Sequence, residues 1–165
     1  MSTETLRMVY FTYVHSIMSY GIIFWGNQPY SQKIFKIQER VIRIIINSRM
    51  TDSCRELFKE LEILPLYSQY IFSLPIFVIK NKHLFYTNNQ IHSVHTRFKT
   101  DLHPPIANLT KFQKGVYYCG IKIFNNLSDN IRDLANETIL FQNVIKRFLL
   151  INSFYNSEEY FNYQS

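Results

Sequence analysis

Apolar residues return every three or four positions over most of this chain, the rhythm of helices that each bury one face. Val9/Tyr10, Tyr13/Val14 and Ile17/Met18 set it first, so a helix is expected from about Thr5 to Tyr20, with Ser2 or Thr3 as N-cap. Gly21 and then Gly26-Asn27-Gln28-Pro29 end it. The second helix, Ser31 to about Asn47, is the clearest. At ~100° per residue Ile34, Ile37, Val41, Ile42, Ile44 and Ile45 share one broad arc. Lys33, Lys36, Arg40 and Arg43 fall within ~80° of each other on the other side. The expectation is an apolar wall backed by a basic stripe. The run Ile44-Ile45-Ile46 alone favours a strand, but the surrounding period decides for helix.

Ser53-Cys54-Arg55-Glu56 has the form of a capping box, opening a short third helix with Leu57, Phe58 and Leu61 inward. A fourth, about Leu66 to Phe85, follows Pro65 and is apolar on nearly all sides, which implies burial. Pro75 lies in its interior, where it removes a backbone hydrogen bond and is expected to kink or break the helix. Tyr86 to Thr110 shows no sustained period and contains Pro104-Pro105, so it reads as an extended arm. A helix from about Lys111 to Asn126 follows, with Val116, Phe124 and Leu127 as core. The last, about Glu137 to Leu150, repeats Phe141, Val144, Ile145 and Phe148 at i, i+3, i+4 and i+7. The aromatic, acidic tail from Phe154 to Tyr163 is either docked or frayed. The fold class is mainly α: an N-terminal helical bundle over 1–85, an arm or linker over 86–110, and a smaller C-terminal helical unit with its tail over 111–165.

Composition changes this picture in one respect. The 165 residues are 47% hydrophobic and 16% aromatic, with 14 Phe and 12 Tyr, but only 18% charged. Much apolar surface must be hidden and little charge is present to cover the rest, so the chain reads as part of something larger or as a domain that needs a partner. The uncharged stretch from Met8 to Gln32 loses apolar continuity near Gly26, so a buried helix is expected there rather than a membrane span. The opening Met-Ser-Thr-Glu-Thr lacks the pattern of a cleavable signal peptide, and two distant cysteines suggest no disulfide framework. A reducing, intracellular setting is the expectation, nucleus or cytoplasm undecided.

The net charge of +6 is concentrated in two blocks. Lys33, Lys36, Arg40, Arg43 and Arg49 face one acid, Glu39; Arg97, Lys99, Lys111, Lys114 and Lys122 face one, Asp101. Such blocks suit a polyanion through counterion release, though a solvated helix face also accounts for them. Phe98, Phe112, Tyr117 and Tyr118 interleave the second block, and aromatic faces can stack on exposed bases. The candidate nucleic-acid contacts are therefore Lys33, Lys36, Arg40, Arg43, Arg97, Lys111 and Lys114.

The order of landmarks adds a resemblance. Tyr10 leads to Ser19-Tyr20-Gly21, Trp25-Gly26, Ile37-Gln38-Glu39-Arg40 and Ile42-Arg43-Ile44. Then come Cys54-Arg55-Glu56-Leu57-Phe58, Leu61-Glu62-Ile63-Leu64-Pro65-Leu66, His95-Thr96-Arg97, Gly115-Val116-Tyr117-Tyr118 and Ile123-Phe124-Asn125-Asn126-Leu127. No single motif is specific, but the ordered set, from about Leu6 to Tyr163, resembles the segment after the palm in jockey-type non-LTR (LINE-class) retrotransposon reverse transcriptases. The resemblance implies a helical thumb and its extension, which help hold the template–primer duplex of RNA or DNA, with the missing palm and fingers as natural docking partner. Two departures read as drift: Ser128 stands where the family has proline, and Pro75 interrupts a stretch normally free of it.

Catalytic chemistry is not in the sequence. Polymerases of this kind hold two metal ions with paired carboxylates, in this family an aromatic-Ala-Asp-Asp step, and the chain contains no Asp-Asp. A phosphate loop and a nucleophile elbow are absent too. His92, His95, His103 and Cys119 lack zinc-site spacing and read as surface scatter. Cys54, at a helix start, reads as a structural thiol. No catalytic residue, metal or cofactor is expected. The rival to nucleic-acid binding is a helical protein-interaction module, or an inert transposon remnant.

Overall fold

The computed structural model describes residues 1–92 and 99–163. Within them the chain is mainly α-helical and forms no strand; an antiparallel bridge joins Thr87 to Leu102. Helix α1 (Thr3–Val9) starts on Ser2, whose hydroxyl accepts from the Thr5 N–H at 3.2 Å. It continues through a π-helical stretch, Tyr10–His15, into α2 (Ser16–Ser19). Gly21 then turns the chain with φ 61°, a left-handed conformation that favours glycine, into α3 (Ile22–Trp25). The indole N–H of Trp25 donates back to the Tyr20 carbonyl at 3.0 Å and closes this corner. Gly26 is glycine for a different reason: a Cβ there would lie 2.5 Å from Cδ2 of Tyr70.

Helix α4 (Ser31–Ile46) ends on Asn47 in the left-handed region, as a C-cap commonly does. Its buried face differs from the one the isoleucines suggest. Phe35, Gln38, Ile42 and Ile45 are buried, Ile34 and Val41 are half-buried, and Ile37 and Ile44 are 60% and 62% exposed. Gln38 explains the rotation. Its amide donates to the Tyr10 hydroxyl at 2.8 Å and to the Leu64 carbonyl at 3.0 Å, and accepts from the Leu66 N–H at 2.8 Å. A buried amide satisfied on three bonds points into the core, and the outer isoleucines of the arc turn outward.

Helix α5 (Cys54–Glu60) follows Ser53, but the expected capping box does not form: the Ser53 hydroxyl makes no cap bond, and the start is fixed by burial of Cys54 and Phe58. Helix α6 (Leu66–Lys80) is the centre of the molecule, buried on most sides and packed against α3 and α4. It runs through Pro75 without breaking and stops before Phe85; a 3-10 turn, Lys82–Leu84, follows. The next segment contains the short α7 (Asn88–Ile91), capped by Thr87 and Gln90. The single helix expected from Lys111 to Asn126 is two, α8 (Thr110–Gln113) and α9 (Val116–Asn125), because Gly115 is extended (φ −68°, ψ 153°) as the N-cap of α9. The side chain of Asn125 brackets the Leu102 backbone, accepting from its N–H and donating to its carbonyl, which ties the arm to α9.

The C-terminal elements are α10 (Asp129–Arg132), a 3-10 turn (Asp133–Asn136), α11 (Thr138–Asn152) and α12 (Ser157–Asn162). Helix α11 buries Phe141, Ile145 and Leu149. The tail is docked: Phe154 and Tyr160 are buried, and the Tyr160 hydroxyl donates to the Ile123 carbonyl at 2.9 Å. One hydrophobic core runs from Tyr10 through α4, α6 and α9 to Tyr160, with α9 and α11 also packed on α6. A smaller cluster of Val78, Phe85, Leu102 and Ile121 seats the ends of the arm.

Candidate nucleic-acid interface

Helix α4 presents its cations on a rigid support. With the Gln38 side inward, Lys33, Lys36 and Arg40 are exposed on the opposite side. None of the three side chains makes an ion pair or hydrogen bond among the described residues. Arg43 behaves differently. It is half-buried, and its guanidinium donates through Nε and a terminal nitrogen to the Asp52 carbonyl, both at 3.2 Å. The Asp52 carboxylate is turned away to accept from the Arg49 N–H at 2.9 Å. Arg43 therefore pins the loop between α4 and α5, and the free stripe is Lys33, Lys36 and Arg40. Ile37 and Ile44 border it on the exposed surface.

The second basic block lies elsewhere. Lys111 and Lys114 are exposed at α8, also without partners among the described residues. Helix α8 packs on α9, and α9 on α6, whereas α4 packs on α1, α5 and α6. Helix α4 thus meets α6 directly, whereas α8 reaches it through α9. Arg97 lies outside the described residues, as does His95. Lys122, which was not among the expected contacts, is exposed on α9 with its ammonium 4.4 Å from the centre of the Phe161 ring. Nothing local in the sequence pairs residues so far apart; only docking of the tail does.

Three cavities open along α8 and α9. The largest of the three, about 670 Å³, is lined by Ile106, Leu109, Phe112, Val116, Tyr117 and Tyr118 among others, with Lys111 as the one charged residue among the described ones. A second, about 240 Å³, has Tyr70, Asn27 and Cys119 on its walls together with Lys114 and Lys122. A third, about 300 Å³, shares Tyr118, Lys122 and Phe161 with the second.

The remaining polar candidates are built into the fold. Burial pushes the Cys54 thiol up; Arg43 opposes this and Glu39 adds to it, and the thiol donates to the Glu39 carbonyl at 3.6 Å. Cys119 donates to the Gln113 carbonyl at 3.3 Å. His92 and His103 meet edge to face at 5.1 Å, and His103 bonds Asn88. Among the described residues no three His, Cys, Asp or Glu side chains gather as metal ligands, and no helix is long and apolar enough to cross a membrane. No family model matches the chain, and no curated protein or solved structure matches it significantly.

Proposed function

We propose that this chain is the thumb-like, post-palm segment of a jockey-type non-LTR retrotransposon reverse transcriptase, non-catalytic by itself, which holds nucleic acid by its phosphates. The observation that carries the reading is the exposed row Lys33, Lys36 and Arg40 on one side of α4, free of acidic partners. Cations fixed on a rigid helix contact successive phosphates without reading sequence, as a surface that holds a template–primer duplex requires. Support also comes from the ordered landmarks, since several have linked work in the fold: Tyr10, Gln38 and Leu64-Pro65-Leu66 meet in one hydrogen-bonded cluster. Ser128, where the family has proline, adopts φ −60° and ψ 150°, a backbone that proline also takes, so this departure leaves the local turn possible.

A protein-docking role is the second reading, favoured by a specific surface. Tyr13, Ile17, Tyr20 and Phe24, between 65% and 86% exposed, line the outside of the N-terminal helices, and Ile37 and Ile44 are exposed beside the basic row. Within the proposed parent enzyme this surface suits the palm and fingers. An inert remnant is the bland alternative.

The test is binding of an RNA–DNA hybrid and of duplex DNA by the full chain and by the Lys36→Ala, Arg40→Ala double variant. The expected result is a loss of roughly tenfold or more, alike for all sequences, with unchanged melting temperature. A loss confined to one sequence, or none, contradicts the assignment to α4. Templated nucleotide incorporation by the purified chain with magnesium or manganese contradicts the non-catalytic reading.

A further inference from the structure

We infer that the cavities along α8 and α9 form a track for a single nucleic-acid strand, separate from the phosphate-binding row on α4. The inference rests on the reading of this chain as a nucleic-acid-binding segment and gives the second basic block its own ligand. Tyr118 lines all three cavities, so they adjoin rather than scatter. Lys111 lies on the first, Lys114 on the second, and Lys122 on the second and third; among the described residues no Asp or Glu lines any of them. The electrostatic complement is a chain of anions running along the surface.

The cavity walls favour a strand with its bases unpaired. The first cavity is apolar, and Phe112 stands 66% exposed at its edge, a face on which a base can stack. Tyr117, on the same cavity, is held stacked on Phe85 at 4.7 Å with its hydroxyl donating to the Leu84 carbonyl, so it is a fixed wall. At about 670 Å³ the cavity falls in the range of clefts that enclose small molecules. A duplex hides its base faces and has no use for such a cleft; a single strand does.

The second cavity carries two of the cations, Lys114 and Lys122, against a polar wall. Tyr70 lines it and is 2% exposed, its hydroxyl beside the Cys119 thiol and without an oxygen or nitrogen partner among the described residues. Burial, and then the neighbouring Cys119 thiol, push this phenol far above its ordinary value, so it stays protonated and remains a donor. Buried polar groups are seldom left unpaired. The Cys119 thiol takes that place here, so Tyr70 closes the wall behind a strand passing between Lys114 and Lys122.

The test uses the full chain with a fluorescent uridine decamer, a duplex of equal length and a poly-glutamate peptide. Lys111→Ala with Lys114→Ala is expected to weaken decamer binding and lower its log–log salt slope by about 1.4, at ~0.7 per phosphate for single strands. The same substitutions leave duplex binding unchanged, whereas Lys36→Ala with Arg40→Ala does the reverse. Tyr70→Phe, which removes a hydroxyl sealed behind the cavity wall, is expected to leave decamer binding unchanged. Decamer binding that ignores the Lys111→Ala, Lys114→Ala change overturns the track, even if duplex binding follows α4. Poly-glutamate binding with the same sensitivity also overturns it, since the block is then a general anion surface. Failure of duplex binding alone removes the α4 assignment and leaves the track standing.

Discussion

Gln38 holds three backbone and side-chain groups that would otherwise be buried without partners, and it reaches across three elements to do so. Replacing it with Met keeps the volume but strands the Tyr10 hydroxyl, the Leu64 carbonyl and the Leu66 N–H. At ~1–3 kcal/mol for each buried unsatisfied group, the loss is on the order of 3 kcal/mol or more. Tyr10→Phe removes one bond and leaves Gln38 two, so a cost of about 1 kcal/mol is expected. Thermal melting of the two variants beside the parent checks the order; equal midpoints contradict a shared network. Burial pushes the Tyr10 phenol from its ordinary 10.0 up to about 12, against the lowering effect of its bond to Gln38. Above pH 10 the unfolded chain gives up this proton while the folded chain keeps it, so stability present below pH 10 is lost as the pH rises toward about 12. The Tyr10→Phe variant is therefore expected to lose less stability over this window, a difference on the order of 2–3 kcal/mol at ~1.4 per pH unit. Parallel alkaline losses contradict the assignment.

Among the elements, α4 was legible in its bounds and its exposed cations because a long helix repeats its pattern several times. Its inward face was legible only in part: Ile42 and Ile45 are buried as the arc implies, but Ile37 and Ile44 turn out, because a hydrophobic arc treats Gln38 as polar and cannot see its three partners. Arg43 was taken with the stripe for a similar reason: its partner is a backbone carbonyl, which no side-chain pattern announces. The break between α8 and α9 rests on the extended backbone of Gly115, and a lone glycine in a helical pattern does not by itself specify a break. The docking of the tail depends on contacts with α9 that lie far off in sequence. Pro75 belongs at this scale. It is buried inside α6 and cannot return a bond to the Ile71 carbonyl, a defect worth on the order of 3 kcal/mol relative to Ala. Pro75→Ala gives up two methylenes of packing, at ~0.8 kcal/mol each. The balance is a gain of about 1 kcal/mol, read as a higher melting midpoint. A lower midpoint means that the ring's packing outweighs the missing bond and removes this position from the case for drift.

At the scale of the whole molecule, helices from both ends of the chain close around α6, and the tail completes the core on α9. Lys33, Lys36 and Arg40 on α4, Lys111 and Lys114 at α8 and Lys122 on α9 are left exposed, in a chain of net charge +6. Rigid supports and cations whose side chains are unpaired among the described residues suit the proposed phosphate-holding surface. The measurement that bears most directly on this is the salt dependence of hybrid-duplex binding by the parent chain. With Lys33, Lys36 and Arg40 each meeting a phosphate, log affinity against log salt is expected to fall with a slope of about −2.7 or steeper, at ~0.9 per contact. A slope near zero, or binding that persists unweakened into high salt, contradicts a phosphate-holding α4 and returns the chain to a protein-docking role.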